Sequence, residues 1–357
     1  MSIEERARAA RRSETPITDH GKGDTRPLAD RLRSVGLVTP DVVQAIRETT
    51  YKYARTIPEG QLIIMVGEPN SGKTTVAEWL AGQMDGEVLY LNMDISSGHI
   101  PEAKRRADRG GYDLICPDLL NEGGVPQILG ELRQEAERGG DLSDLTIIID
   151  TLKKLGEMVS KKSLPDLMRT LRSLTTKGAT VLCLGHTNKY ELGEGKHQWP
   201  VYEGTADLRS DCDAMVALIG YRGDYGVVTT SLYAKEQGWP HAKDRGVIEP
   251  LTWRIDPHEG RTVELLDEWV DTQKLVREAK DVKRHADLIQ DIHSWLNAQP
   301  EGANQSQIIE ALKADHNHKP VRRCLDKYEG KFWDVTRLRQ DNAKHFKAIQ
   351  GVKLPKA

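Results

Sequence analysis

The sequence predicts an α/β protein with a central, mostly parallel β-sheet and a small separate domain at the C-terminus. Short apolar runs alternate with amphipathic stretches from about residue 57, and a glycine-rich loop follows the first run. After about residue 283 the pattern changes to short helices and a hairpin. A chain of 357 residues has room for two or three such units.

Five apolar runs are nearly uninterrupted, as is typical of strands that a parallel sheet buries on both faces. They are 61–67, 87–94, 112–118, 145–150 and 180–186. Helical patterns such as 74–84 and 163–178 lie between them, which favours a layered α/β sheet. Three further runs follow without room for helices and predict an antiparallel extension of the same sheet. They are 213–222, 225–236 and 251–257.

Composition shifts divide the chain into four parts. Residues 1–27 are polar and predict a disordered arm. Residues 28–56 predict two short helices, the second over 40–54 with Pro40 in its first turn. The sheet domain is expected over 57–270. Residues 283–357 predict three helices and a hairpin, the pattern of a winged-helix-like domain.

Bulk composition restricts the function classes. The net charge is −3, so binding to nucleic acid would require local basic patches. No apolar run approaches the roughly 18 residues of a membrane span, and the N-terminus lacks the apolar core of a secretory signal. The four cysteines form no CxxC pair and are expected to be reduced structural thiols. These features predict a cytoplasmic protein without a membrane partner.

A glycine-rich motif predicts a nucleotide site. It fits the pattern GxxxxGK[ST] between a strand and a helix, and we call it the phosphate loop (residues 67–74). The backbone N–H groups of such a loop and the helix N-terminus attract phosphates. Lys73 is expected to reach the β and γ oxygens, and the Thr74 hydroxyl to hold Mg²⁺. The predicted contacts with ATP are Gly67, Glu68, Pro69, Asn70, Ser71, Gly72, Lys73, Thr74 and Thr75.

Two acids at strand ends complete the predicted site. Asp150 closes an apolar strand, and the carboxyl end of a parallel strand beside the phosphate loop suits a Mg²⁺ ligand. Asp94 closes the strand after the loop's helix and is the candidate base that activates water. The alternative for Asp94 is a cap on the following segment.

The order of these motifs, followed by the segment 181–189, resembles the RecA-like P-loop ATPases. It is most similar to the DnaB/RepA-type replicative helicases of plasmids and phages. The resemblance spans about residues 57–257. It implies that Asp94 stands where the family usually has a catalytic Glu, and that His186 senses the γ-phosphate.

The resemblance also implies an assembly. Lys243 and Arg245 resemble the family's K-x-R finger, which enters the neighbouring subunit's site in a ring, usually a hexamer. An arginine supplied in trans stabilises charge on the transferring phosphoryl group. The alternative for both residues is a solvated turn.

Two loops and the C-terminal domain are candidate DNA contacts. The resemblance places DNA loops after the strand that ends at Asp150 and after the strand that ends at His186. The predicted residues there are Lys153, Lys154, Lys161, Lys162, Lys196 and Trp199. From Lys313 to Ala357, twelve Lys and Arg face five Asp and Glu. A recognition helix with Arg322, Arg323 and Lys327 would bind duplex DNA, or a protein partner instead.

Together these patterns predict a ring-forming ATPase motor on single-stranded DNA, a replicative helicase of a mobile element or phage. Two alternatives stay open. One is a RecA-like recombination or annealing ATPase. The other is a DNA-binding regulator whose ATP cycle only switches its assembly.

Overall fold

The computed structural model describes most of the chain. The described residues are 27–36, 49–93, 95–117, 124–138, 140–152, 164–187, 199, 206–244, 248–258, 261–313, 316–337 and 343–356. Helix α1 (Leu28–Gly36) comes first, and a hairpin of β1 (Tyr51–Tyr53) and β2 (Ile57–Pro58) follows. The helix predicted over 40–54 therefore does not reach its expected end, because Tyr51–Tyr53 are in a strand.

One large sheet is the centre of the described structure. Its strands are β3 (Leu62–Gly67), β4 (Glu87–Asn92), β5 (Asp113–Ile115), β6 (Leu145–Asp150), β7 (Thr180–His186), β8 (Ala214–Arg222), β9 (Val228–Tyr233), β10 (Thr252–Asp256) and β11 (Thr262–Leu265). They lie in the order β11-β10-β9-β8-β3-β7-β6-β4-β5. The six strands from β8 to β5 are parallel, and β9, β10 and β11 extend the sheet antiparallel.

Helices cover both faces of this sheet. They are α2 (Lys73–Ala81), α3 (Ile100–Gly110), α4 (Gly124–Arg138), α5 (Leu164–Thr176) and α6 (Ala206–Asp211), with 3-10 turns at Ser97–His99 and Asp224–Gly226. Alternate residues of β3 enter opposite cores: Ile63 packs with α2 and α3, whereas Ile64 packs with α4 and α5. This two-sided burial explains why the central strands are continuous apolar runs.

Helix α7 (Thr272–Arg284) joins the sheet to the rest of the chain. Asp271 caps its first turn by accepting from the Lys274 N–H, and the Tyr233 hydroxyl donates to the same carboxylate at 2.9 Å. The Thr272 hydroxyl donates to the carbonyl of Ile219 at 2.7 Å. Helix α7 is thus attached to β8 and β9 through side chains of its first turn.

The C-terminal unit has its own core. Its elements are α8 (Ala286–Asn297), β12 (Ala303–Asn304), α9 (Gln305–Leu312), α10 (His318–Lys327), β13 (Trp333–Arg337) and β14 (Lys344–Ala348). The strands form a sheet in the order β12-β14-β13. Trp333 is fully buried and donates from its indole to the Leu325 carbonyl at 2.9 Å. The unit thus consists of three helices and a small sheet with a hairpin.

The predicted architecture of helices around a large, mostly parallel sheet is confirmed, including its antiparallel extension. Among the described residues, no helix is long and apolar enough to cross a bilayer.

Candidate nucleotide and DNA sites

The phosphate loop connects the carboxyl end of β3 to the first turn of α2. Two residues of the loop have positive φ angles, Asn70 at 64° and Gly72 at 91°. A Cβ on Gly67 would lie 2.5 Å from the Leu218 carbonyl oxygen and 2.7 Å from Ser71 Oγ. The loop therefore needs a glycine at residue 67, because no side chain fits there.

Lys73 holds its ammonium inside this loop. Its Nζ donates to the carbonyls of Gly67 and Glu68, at 2.8 Å each, and the residue is only 6 % exposed. Helix α2 has no acidic residue of its own in its first turn, and its N-terminal end carries a partial positive charge. The loop combines a buried cation with a helix terminus, which suits a polyphosphate.

Thr74 and Asp150 meet at the same edge of the sheet. The Thr74 hydroxyl donates to Asp150 Oδ2 at 2.8 Å, although the two residues are far apart in sequence. Asp150 is 2 % exposed at the end of β6. A hydroxyl and a carboxylate are oxygen ligands that Mg²⁺ accepts, directly or through water. The structure thus brings together the two predicted metal residues.

A third group contacts this carboxylate. The hydroxyl of Tyr90, on β4, donates to Asp150 Oδ2 at 3.0 Å. Tyr90 is fully buried, and burial together with the nearby charge of Asp150 raises the pKa of its hydroxyl well above the ordinary value. The group therefore stays protonated and remains a donor. No motif in the sequence indicates that Tyr90 is part of the site.

Strand β7 places His186 beside the loop. β7 lies between β3 and β6, and His186 pairs with Gly67 in the register of β3 and β7. The next residue, Thr187, donates its N–H to the Gly67 carbonyl at 3.4 Å. His186 is thus at the end of the strand between the phosphate loop and Asp150, and Thr187 contacts the loop directly.

Two buried hydroxyls beside the loop bear on the fit of a phosphate. Within the described residues, Ser71 Oγ and Thr187 Oγ1 are buried and have no hydrogen-bond partner. An unsatisfied buried hydroxyl costs roughly 1–3 kcal/mol, and a phosphate oxygen can accept from such a donor. Together with Lys73, Thr74 and Asp150, these hydroxyls form a set of donors and oxygen ligands that fits ATP and Mg²⁺.

Residues of β8, β9 and β10 pack directly against the phosphate loop. The buried Thr230 hydroxyl of β9 donates to the Ser71 carbonyl at 2.8 Å. A Cβ on Gly220 of β8 would lie 2.8 Å from that carbonyl oxygen, and a Cβ on Gly72 would meet Ile255 of β10 at 2.6 Å. β8, β9 and β10 therefore determine the position of the phosphate loop, a role that no motif in the sequence indicates.

Lys243 contacts its own chain rather than pointing away from it. Its backbone forms a bridge with Met215, and its ammonium donates to the Ser210 carbonyl at 2.7 Å and to the Cys212 carbonyl. These contacts occupy the ammonium locally, which does not support the predicted role of Lys243 as a finger in a neighbouring site. Arg245 lies outside the described residues.

Trp199 also has a different environment from the predicted one. Its ring packs edge-on against Tyr233, with centroids 5.6 Å apart, and it borders the core under α4 and α5. A partly buried indole in this position serves packing, which does not support stacking on a nucleobase. Asp94 and the five lysines of the two predicted DNA loops lie outside the described residues. Those lysines are Lys153, Lys154, Lys161, Lys162 and Lys196.

The three basic residues predicted on the recognition helix differ in their surroundings. Arg322 and Arg323 are exposed on α10, opposite the buried Val321, Cys324 and Leu325. Lys327 instead forms an ion pair with Asp281 of α7 at 2.6 Å, and this hydrogen bond lowers the pKa of the Asp281 carboxyl. The arginines are therefore better placed than Lys327 for an external phosphate.

Comparisons with known proteins assign this chain to no family. No family model and no curated protein matches the sequence. Among solved structures, the flagellar accessory protein FlaH from Methanocaldococcus jannaschii is similar with a TM-score of 0.37 and 17 % identity, over 59 % of this chain and 92 % of that one. The RadB recombinase is similar with a TM-score of 0.39 and 16 % identity, over 59 % and 93 %. Both TM-scores are below 0.5 and too low to assign a family.

Proposed function

We propose that this chain is a cytoplasmic ATPase with a RecA-like fold that assembles as a ring and moves along single-stranded DNA, as a DnaB/RepA-type helicase does. The observation that carries the proposal is the convergence of Lys73, Thr74 and Asp150 at one edge of a parallel sheet. A buried cation, a hydroxyl and a carboxylate at a helix N-terminus are the groups that phosphoryl transfer requires.

Each residue has a distinct part in the proposed reaction. The loop's N–H groups and Lys73 bind and orient the phosphates, while Thr74 and Asp150 would hold Mg²⁺. When bound, Mg²⁺ neutralises charge on the phosphate oxygens. Asp94 would deprotonate the attacking water, and His186 would respond to the γ-phosphate. Arg245 of a neighbouring copy would stabilise the developing charge, which makes hydrolysis depend on the ring.

The C-terminal unit supports a role for DNA. Its order of α8, β12, α9, α10, β13 and β14, with β14 central in the small sheet, is the order of a winged helix. In that arrangement α10 is the recognition helix and the β13–β14 hairpin is the wing. We therefore propose that this unit recruits the ring to duplex DNA, with a protein partner as the other possibility.

Replacing both Arg322 and Arg323 with alanine is expected to weaken duplex binding at least about tenfold at low salt. Each lost phosphate contact should also reduce the slope of log affinity against log salt by about one. Fluorescence anisotropy with a labelled duplex at several salt concentrations measures both effects.

Lys327→Ala is the matched control for this pair. It removes a cation from the same helix, but one that Asp281 already neutralises. Its salt slope should stay close to that of the parent. If the double arginine variant kept the parent's affinity and slope, α10 would not be a DNA-binding helix.

Strand displacement separates the proposed function from its alternatives. A motor should unwind a forked duplex with a single-stranded tail when ATP and Mg²⁺ are present. Filaments along DNA in negative-stain images, in place of rings, would indicate the recombination or annealing ATPase. One observation, the exposed basic helix α10, favours the hypothesis of a DNA-binding regulator. That hypothesis predicts that a defined duplex outcompetes single strands and that no unwinding occurs.

A further inference from the structure

The carboxylate of Asp150 accepts two hydroxyl donors on the same oxygen. Thr74 donates to Oδ2 at 2.8 Å and Tyr90 donates to it at 3.0 Å. The two donors come from different elements of the fold. Thr74 is in the first turn of α2, whereas Tyr90 is in the interior of β4.

The register of the sheet explains how Tyr90 reaches Asp150. β4 and β6 are adjacent parallel strands, in which Tyr90 pairs with Ile148 and Asn92 pairs with Asp150. The Tyr90 side chain therefore reaches along the sheet, past the level of one further residue, to contact Asp150 at the carboxyl edge. Its ring is held by Tyr112, with centroids 5.8 Å apart. This ring contact and the full burial of Tyr90 leave the hydroxyl little freedom to turn elsewhere.

Burial makes this contact specific. Tyr90 is 0 % exposed and Asp150 is 2 % exposed. A buried hydroxyl without a hydrogen bond destabilises a protein, so the Tyr90 hydroxyl requires the Asp150 carboxylate as its acceptor. A phenylalanine would fill the same apolar space without this need. The hydroxyl of Tyr90 is therefore explained by its contact with Asp150 rather than by packing.

The two donors would have different roles beside Mg²⁺. In the proposed function the Thr74 hydroxyl would be a ligand of Mg²⁺ itself, whereas the Tyr90 hydroxyl, on β4, would contact only the Asp150 carboxylate. We propose that Tyr90 is a positioning residue that keeps the Asp150 carboxylate oriented toward the metal and so increases the affinity of the site for Mg²⁺. This inference rests on the proposed role of Asp150 as a metal residue.

Tyr90→Phe tests the inference, because it removes only the hydroxyl. Outer partners of metal ligands typically contribute 10- to 100-fold to metal affinity. The Mg²⁺ concentration for half-maximal binding of a fluorescent ATP analogue should therefore rise about 10- to 100-fold. The same shift is expected for ATP hydrolysis at saturating ATP. At high Mg²⁺ the maximal rate and the KM for ATP should return close to parent values.

Two further variants keep the test decisive. Tyr112→Phe removes a hydroxyl from the adjacent ring, which does not contact Asp150, and should leave the Mg²⁺ requirement unchanged. In the background of Asp150→Asn, adding Tyr90→Phe should produce no additional shift, because Tyr90 acts through that carboxylate. A double variant whose effects simply multiply would indicate a structural role for Tyr90 and overturn the proposal.

The outcomes separate this inference from the proposed function. If the parent binds nucleotide only with Mg²⁺ but Tyr90→Phe has the parent's Mg²⁺ requirement, Tyr90 has no positioning role and the proposed site stands. A parent whose nucleotide binding is indifferent to Mg²⁺ overturns both. Lower thermal stability of Tyr90→Phe, with no change in Mg²⁺ dependence, also overturns the inference.

Discussion

Lys73→Ala is expected to reduce ATP hydrolysis about 100- to 1,000-fold, which is typical when one donor to a developing negative charge is removed. The ammonium is buried within the loop and donates to two loop carbonyls at 2.8 Å. No other cation among the described loop residues can replace it. Phosphate release at saturating Mg²⁺·ATP measures the loss.

The control for this substitution is Lys177→Ala. Lys177 also donates to two backbone carbonyls, those of Glu135 and Ala136, but it lies after α5 and away from the phosphate loop. It therefore reports what the loss of a lysine–carbonyl contact does to the fold alone. If Lys73→Ala and Lys177→Ala had equal turnover, Lys73 would not be part of the catalytic site.

Gly220→Ala is expected to weaken nucleotide binding at least about tenfold, although residue 220 is outside the loop motif. The new methyl group would lie 2.8 Å from the Ser71 carbonyl oxygen and 2.9 Å from Ser71 Cα. Both are backbone atoms of the phosphate loop, so the loop itself must shift. Overpacking of this kind also costs about 1–3 kcal/mol of stability.

Gly223→Ala is the matched control, because it lies on the same hairpin with ordinary contacts of 3.7 Å or more for an added Cβ. Titration with a fluorescent ATP analogue compares the two variants, and thermal unfolding monitors their stability. Parent-like affinity in Gly220→Ala would show that β8 does not determine the position of the loop.

The sequence was sufficient for the elements of the sheet domain because its strands are buried on both faces. When continuous apolar runs such as 62–67 and 145–150 alternate with amphipathic helices along the chain, they indicate strands of a parallel sheet. The attachment of α7 to the sheet is different, because it includes hydrogen bonds of Thr272 with Ile219 and of Tyr233 with Asp271. Propensity alone cannot reveal such contacts.

The site was predictable only where a motif specifies it. Lys73 and Thr74 follow from the loop pattern, and Asp150 follows from its place at a strand end. Tyr90 is different, because an interior tyrosine in an apolar strand resembles a core residue until the register with β6 is known. Gly220 likewise depends on where β8 passes beneath the loop.

Surface residues were the least predictable. From sequence, Lys243 and Lys327 are charged positions next to a turn and on a helix, and each could face solvent or a partner. The structure shows that carbonyls of the same chain bind Lys243 and that Asp281 binds Lys327. Such contacts depend on tertiary neighbours that are distant in sequence, which is why local patterns do not indicate them.

The rate of ATP hydrolysis with and without single-stranded DNA tests the central claim most directly. The proposed motor predicts Mg²⁺-dependent phosphate release that single strands stimulate, with Lys73→Ala lacking both the basal and the stimulated rate. Turnover by the parent that is unchanged across a titration of single-stranded DNA would contradict a DNA motor and favour the ATP-switched regulator.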